Sequence, residues 1–462
     1  MVFSSITFLF YYLPAVMILY LAVPWRMKNI ILLFASLIFY AWGEPVYVLL
    51  MVFSCVVNYV WAILLERGKN QGLSDGLLKT HFILNVIFNL SILFYFKYIN
   101  MFLSGLGLIV GSDLTIRGLS LPIGISFYTF QTLSYTADVY RGKVRAQRNL
   151  FDFSLYISMF PQLIAGPIVR YADIEKQLRR RRLSPAIFGQ GAEFFITGLA
   201  KKVLLANALG EVFSQICALG NISWLSAWLG AVLYSLQLYF DFSGYSDMAI
   251  GLGYMLGFKF NKNFDHPYVS ASITEFWRRW HISLSGWFRE YVYIPLGGNR
   301  AGKSRHILNL LIVWMLTGLW HGAGLNFLFW GLYYAVFLIA EKYILKDYLS
   351  AHRILGHIYT LLVVVFGWVI FAFTDSGELF SYIGSMFFLH GFMDSAGFYY
   401  VRTALPTLII AVICCLPQVY AVKRVLIRRA PVVIYVVNIL LFILCVACIV
   451  YDSYNPFLYF RF

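Results

Sequence analysis

Apolar runs of membrane length recur along the whole chain and are parted by short basic loops, which leaves few folds open. They fall near 6–23, 29–43, 46–65, 81–103, 119–136, 150–168, 186–208, 224–256, 306–341, 356–374, 379–391, 401–422 and 431–451. Lipid offers no hydrogen bonds, so a backbone in such runs must satisfy itself as helix. The expectation is an all-α polytopic transmembrane bundle of about ten to twelve spans at ~20 residues each, forming a single integral-membrane domain over 1–462. Composition agrees: 12% of residues are charged, against about 25% in soluble domains. The start, Met1-Val-Phe-Ser-Ser-Ile-Thr, lacks the basic stretch of a cleavable signal, so 6–23 reads as a retained first span.

Several runs are interrupted. Pro122 with Gly124, Pro161 with Gly166-Pro167, and Gly244 with Gly251 and Gly253 predict re-entrant or broken helices. Non-helical backbone at membrane depth survives only against protein or a watery cavity, so a central tunnel is expected. No internal repeat of the transporter kind is visible.

The net charge of +15 would suit nucleic acid, but the basic residues sit in short loops between apolar runs. They report orientation. Arg26/Lys28, Arg67/Lys69, Arg141 to Arg148, Arg170 to Arg182, Arg300 to Arg305 and Lys423 to Arg429 go to the cytoplasm, and the acidic loop from Asp375 to Tyr400 goes outside. Both termini are then extracytoplasmic, in a bacterial plasma membrane. The six cysteines lie in or beside apolar segments and read as small hydrophobes, not as a disulfide framework.

Within this frame the stretch Trp314-Met-Leu-Thr-Gly-Leu-Trp-His-Gly-Ala-Gly-Leu-Asn326 carries a histidine at the end of an apolar run. An ionisable group inside a membrane protein is a functional candidate, and imidazole trades protons near neutral pH. Gly318, Gly322 and Ala323 allow close backbone approach around His321, while Trp320 and Asn326 add polar handles. A different character marks 274–291, where Trp277, Trp280, Leu284, Trp287, Phe288 and Tyr291 recur every three or four residues and Arg278, Arg279 and Arg289 fall largely elsewhere. That periodicity predicts an interfacial helix on the cytoplasmic surface, with His281 on its apolar side. Asp241 and Asp247 stand in another apolar run; their cost in lipid favours pairing with a base or capping of a broken helix. Asp138, Tyr140 and Arg141 read as a local ion-paired boundary. No nucleophile elbow, phosphate loop, zinc-ligand spacing or dinucleotide fingerprint stands in a credible context.

Five motifs carry a resemblance: Leu121-Pro-Ile-Gly-Ile-Ser-Phe-Tyr-Thr-Phe-Gln131, Phe160-Pro-Gln-Leu-Ile-Ala-Gly-Pro167, Tyr239-Phe-Asp-Phe-Ser-Gly-Tyr-Ser-Asp247, Phe276-Trp-Arg-Arg-Trp-His281 and Leu319-Trp-His-Gly322. Together they resemble the membrane-bound O-acyltransferase family, in its alginate O-acetyltransferase-like branch. The resemblance implies that a cytoplasmic thioester, acetyl-CoA or another acyl donor, gives its acyl group through the tunnel to an extracytoplasmic acetyltransferase partner bearing a serine nucleophile. No permanently bound cofactor is implied. His321 matches the family's catalytic histidine and His281 the second histidine of the bacterial branch. Arg278 and Arg279 would meet the anionic donor, and Trp277, Trp280, Trp320, Asn326, Asp241 and Ser243 would line the substrate path. The aromatic tail ending Phe457-Leu-Tyr-Phe-Arg-Phe462 leaves two readings open for Tyr459, an acyl relay or an interfacial anchor. The glycan stays open between alginate, peptidoglycan, teichoic acid and other polymers. A lipid-linked glycan transporter is the competing class, since buried acids and broken helices suit both.

Overall fold

The computed structural model describes residues 1–164, 166–300 and 302–451, and among them every secondary-structure element is helical. Among the described residues six helices are long and apolar enough to cross a membrane: Tyr47–Asn70, Asp75–Lys97, Leu325–Ala351, Arg353–Ala372, Ser395–Cys415 and Pro431–Tyr451. Shorter apolar helices such as Thr7–Ala22 and Ile99–Val110 accompany them. This is the all-α, multi-pass membrane architecture that the apolar runs predict. All six cysteines are free.

The chain forms two compact units, one of Met1–Phe195 with Met248–Asn261 and one of Ile196–Asp247 with Lys262–Phe462. In the first, α1 (Tyr47–Asn70), α2 (Asp75–Lys97) and α3 (Ile125–Arg141) are joined by amides in their apolar interior. Asn58 Nδ2 donates to Asn89 Oδ1 at 3.0 Å, Asn85 Nδ2 and Asn89 Nδ2 donate to Asn58 Oδ1 at 2.9 and 2.8 Å, and Thr132 Oγ1 donates to Asn89 Oδ1 at 3.2 Å. Lipid gives no hydrophobic drive for helix association, so such interhelical hydrogen bonds and close packing take its place. The Pro122/Gly124 break is present: α3 begins after Gly124, whose φ is +75°. Pro161 likewise follows a break, as the preceding helix ends at Ser158 and Phe160–Leu163 is a separate turn.

The third expected break does not occur. Gly244, Gly251 and Gly253 lie inside one uninterrupted helix, α4 (Trp224–Met255) of 32 residues. Their glycines serve packing. A Cβ on Gly244 would stand 2.7 Å from the Gly198 carbonyl oxygen, and one on Gly251 would stand 2.5 Å from that of Gly191.

In the second unit the predicted continuous helix over 274–291 is two short helices, α5 (Ile273–Arg279) and α6 (Ile282–Phe288), separated by Trp280 in extended conformation and by His281 at φ +45°. The amphipathic spacing was real but local pairing overrides it. Asp265 N–H donates to the Arg279 carbonyl and Ile282 N–H to the Asn263 carbonyl, each at 2.9 Å. A neighbouring extended segment thus takes the hydrogen bonds that a helical turn would have used.

The hairpin that ends in His321 packs through glycine. Helix α7 (Lys303–His321) and helix α8 (Leu325–Ala340) meet where a Cβ on Gly318 would lie 2.2 Å from the Phe327 carbonyl oxygen, and one on Gly331 would lie 2.2 Å from that of Trp314. The approach expected at Gly318 is therefore reciprocal. Neither contact is with a movable side chain, so backbones must part to admit a methyl. Gly331→Ala is expected to cost about 1–3 kcal/mol, read as a lower melting temperature in detergent. Gly286→Ala, with nothing within 4 Å of the new Cβ, should leave that temperature unchanged.

Candidate active site

Helix α7 delivers His321 to its C-terminal end, half-buried, where Gly322 continues in extended backbone. His321 thus stands at the negative end of the helix dipole. Among the described residues, aromatic rings close round it: Trp320 at 4.9 Å, Trp330 of α8 at 5.0 Å, and Phe371 at 5.1 Å between centroids, all edge to face. Phe371 comes from α9 (Arg353–Ala372), whose last turn is fixed by Asn326. Asn326 Nδ2 donates to the Ile370 and Phe371 carbonyls, both at 3.4 Å. That places Asn326 as a brace between α8 and α9 and gives its amide N–H groups a structural use.

His281 occupies the break between α5 and α6, outside the six membrane-length helices, and is buried. A non-glycine residue in the left-handed region stores about 1–3 kcal/mol of strain and needs surroundings that over-determine it. Its ring meets Phe242 of α4 at 4.7 Å, Phe264 at 6.4 Å and Trp320 at 6.0 Å. Trp320 therefore touches both histidine rings. His281 Nδ1 lies 3.3 Å from Asn263 Oδ1, and His281 Nε2 is buried with no hydrogen-bond partner among the described residues. Burial pushes the imidazole down to about 3, because a desolvated ring disfavours its charged form. The ring is neutral at physiological pH.

The segment bearing His281 is locked at its start. Ser272 Oγ accepts from Glu275 N–H at 3.0 Å, and the Glu341 carboxylate accepts from the Ile273 N–H, Thr274 N–H and Thr274 Oγ1 at 2.5, 2.8 and 2.6 Å. A carboxylate on the free N–H groups of a helix start complements its dipole. Arg279 Nε and Nη2 reach Glu275 Oε1 at 3.0 and 2.8 Å, and Arg279 Nη1 donates to the Asp265 carbonyl at 3.2 Å. Burial raises the Glu275 carboxyl, yet the Ala271 N–H and the Arg279 guanidinium outweigh it and hold the group below its usual range. Arg279 is thus tied into the scaffold. Arg278 is exposed and forms no ion pair among the described residues, so of the two arginines it alone is available to an anion.

Trp277 and Trp280 line the same aromatic wall. Trp277 meets Trp314 at 4.8 Å, Tyr334 at 4.8 Å and Trp330 at 5.5 Å, while Trp280 meets Trp368 at 4.7 Å and Phe264 at 5.1 Å. Each such pair adds about 0.5–1.5 kcal/mol beyond area burial, and the wall joins α5, α7, α8 and α9 around both histidines.

Asp241 is set apart from this group by its partner. Lys202 Nζ lies 2.8 Å from Asp241 Oδ1 with both side chains buried, and Lys201 Nζ lies 2.6 Å from Asp247 Oδ2. The carboxylates of α4 thus pair with bases, as their cost in lipid requires, and both bases are lysines. Ser243 is buried on α4, and its Oγ has no partner among the described residues. Tyr459 lies outside the described residues.

Sequence reading missed Asn263, Glu341, the Lys201-Lys202 pair, Trp330 and Phe371. A signal existed for some of them. Glu341 is a carboxylate ending a long apolar run, and Lys201-Lys202 interrupts another; each needed a buried partner by the rule already applied to Asp241. Asn263 and Phe371 carry no local signal.

A half-buried histidine at a helix end, a second, neutral histidine one ring away, and an aromatic enclosure suit acyl transfer to a hydroxyl. The chain belongs to the membrane-bound O-acyltransferase family, whose description matches residues 73–384. It is an O-acyltransferase, and the transporter reading is set aside. Among its relatives, the probable alginate O-acetylase AlgI of Pseudomonas syringae pv. tomato is 46% identical over 382 residues, covering 80% of this chain and 72% of the relative. The peptidoglycan O-acetyltransferase of Helicobacter pylori is 34% identical over 411 residues, covering 80% and 77%. The teichoic acid D-alanyltransferase of Bacillus subtilis is 30% identical over 272 residues, covering 54% and 68%.

The Asp241–Lys202 pair can be separated from substrate contact by experiment. Asp241→Leu strands a buried lysine and is expected to cost about 3–5 kcal/mol, whereas Asp241→Leu with Lys202→Met should recover most of it in a detergent melting curve. A substrate role for Asp241 would instead leave the single variant stable and inactive.

Proposed function

We propose that this protein O-acetylates an extracytoplasmic polysaccharide, taking the acetyl group from a cytoplasmic thioester such as acetyl-CoA. The observation that carries the reading is His321 at the end of α7, half-buried within Trp320, Trp330 and Phe371. A base there takes the proton of an incoming hydroxyl as its oxygen attacks the thioester carbonyl. The new C–O bond forms, the C–S bond breaks, and the imidazolium returns the proton to the thiolate. The aromatic enclosure keeps water from competing as the nucleophile.

An acetyl donor is favoured over a D-alanyl one by similarity: the O-acetylases match 80% of this chain and the D-alanyltransferase 54%. The alginate relative, at 46% identity, supports alginate or a related exopolysaccharide over peptidoglycan. In this reading the protein works with other polysaccharide-modifying proteins, one of them an extracytoplasmic acetyltransferase whose serine receives the acetyl group. The basic loops set the orientation, with both termini outside a bacterial inner membrane. The exposed guanidinium of Arg278 then faces the cytoplasm and attracts the anionic donor.

His321→Ala should abolish acetyl transfer by purified protein, a loss of at least about 10²–10⁴-fold, while insertion and melting temperature stay normal. Near-normal transfer by that variant would end the proposal. Arg278→Glu should raise the KM for the donor with little change in kcat, whereas Arg279→Glu should lower stability through its ties to Glu275 and Asp265.

A further inference from the structure

The hydrogen bonds around Asn263 determine which nitrogen of His281 carries the proton. Asn263 Oδ1 accepts from the Ser283 backbone N–H at 3.1 Å and from Ser283 Oγ at 2.9 Å. A backbone N–H only donates, so the atom facing it must be the amide oxygen, and the orientation of the Asn263 side chain follows without any choice. The same oxygen lies 3.3 Å from His281 Nδ1. Facing an acceptor, Nδ1 must be N–H. In a neutral imidazole the other nitrogen then carries the lone pair, and that nitrogen, Nε2, is the buried atom with no partner among the described residues. A buried acceptor left unmade costs about 1–3 kcal/mol, a cost that a functional site bears more readily than a scaffold.

We propose that Asn263 is a positioning residue of the transfer site: its side-chain carbonyl holds His281 as the Nδ1–H tautomer, so that Nε2 is a hydrogen-bond acceptor for an O–H or N–H of the reacting molecules. This rests on the O-acyltransfer reading. It assigns the two histidines unlike tasks. His321 takes and returns the proton of the attacking hydroxyl, whereas His281 in this tautomer cannot donate from Nε2 and so does not polarise the thioester carbonyl.

The backbone makes the arrangement stiff. The Asn263 carbonyl accepts from Ile282 N–H at 2.9 Å while its side chain accepts from Ser283 N–H, so one residue grips two successive amides at the start of α6. These bonds hold His281 at φ +45°. The ring is packed against Phe242 from α4, Phe264 and Asn263 from the neighbouring segment and Trp320 from α7. None of these is charged or titratable, and the next titratable ring, His321, stands on Trp320. Among the described residues, nothing beside His281 competes with Asn263 for control of its tautomer.

Two measurements test the proposal. In wild-type protein labelled with ¹⁵N-histidine, with His281→Gln supplying the assignment, the His281 resonances should show a protonated Nδ1 and an unprotonated Nε2 at neutral pH; the reverse tautomer would overturn the proposal whatever the activity. Asn263→Asp keeps an acceptor at the same place but adds a negative charge that stabilises the imidazolium, which raises its pKa. The protonated ring then persists to higher pH, and the pH at which the His281 ¹⁵N resonances report the imidazolium should move up by at least about one unit, a tenfold change in proton concentration. Asn263→Leu should lower kcat by about 10–100-fold, the scale of outer contacts that orient a histidine, with donor KM within about twofold. An Asn263→Asp titration of the His281 resonances that superimposes on wild type would show that residue 263 does not bear on the ring, and that result would also overturn the proposal. Absence of acetyl transfer by wild-type protein would defeat the functional reading while leaving the tautomer measurement standing.

Discussion

The structure around the candidate site depends on two backbone hydrogen bonds, from Asp265 N–H to Arg279 O and from Ile282 N–H to Asn263 O. A buried chain that leaves the helix must find other partners for every amide it frees, and these bonds provide them where α5 ends and α6 begins. Once the helix is interrupted there, His281 can turn its ring against Phe242 and Trp320. A continuous helix would have kept it in line with Trp277 and Leu284 on one face. The break therefore converts an amphipathic stripe into a wall with a histidine in it.

Charges secure the same region, and each has a specific partner. Glu341 reaches from the end of α8 to the first amides of α5, and Arg279 binds the last carboxylate of that turn and the extended segment beside it. The short helix α5 is thereby fixed at both ends by groups from outside it, which a seven-residue helix needs, since isolated helices under about 12–15 residues are marginal. Rigid fastening of that kind holds a ring at a non-helical angle without reliance on the ring's own contacts.

Much of this was legible in the chain. Runs of apolar residues forecast an all-helical membrane protein because lipid permits little else, and Pro122, Gly124 and Pro161 marked breaks that are present. Gly244, Gly251 and Gly253 misled because glycine has two uses, as a breaker and as a site of close approach; only the neighbouring carbonyls at Gly198 and Gly191 decide between them. The histidines were visible as ionisable groups in apolar surroundings. Their environment was not, since Asn263 is 18 residues from His281 and Phe371 lies 50 from His321 in the chain. Period alone also could not reveal the break at Trp280–His281, because side-chain spacing reports which face a helix would bury and not whether a neighbouring strand-like segment claims its amides.

What separates the two histidines is solvation rather than chemistry of the ring. His281 is enclosed, its Nδ1 engaged and its imidazole driven neutral by burial; His321 is half-buried at the negative end of a helix dipole. In the proposed mechanism these unlike environments suit one imidazole to be a fixed acceptor and the other to be the base, the kind of contrast by which acid–base roles divide. Trp320 stands in contact with both rings and offers neither a charge. The proposed transfer divides the work along that line: the base gains and loses its proton within one turnover, while the residue that orients the reacting groups keeps the same face toward them.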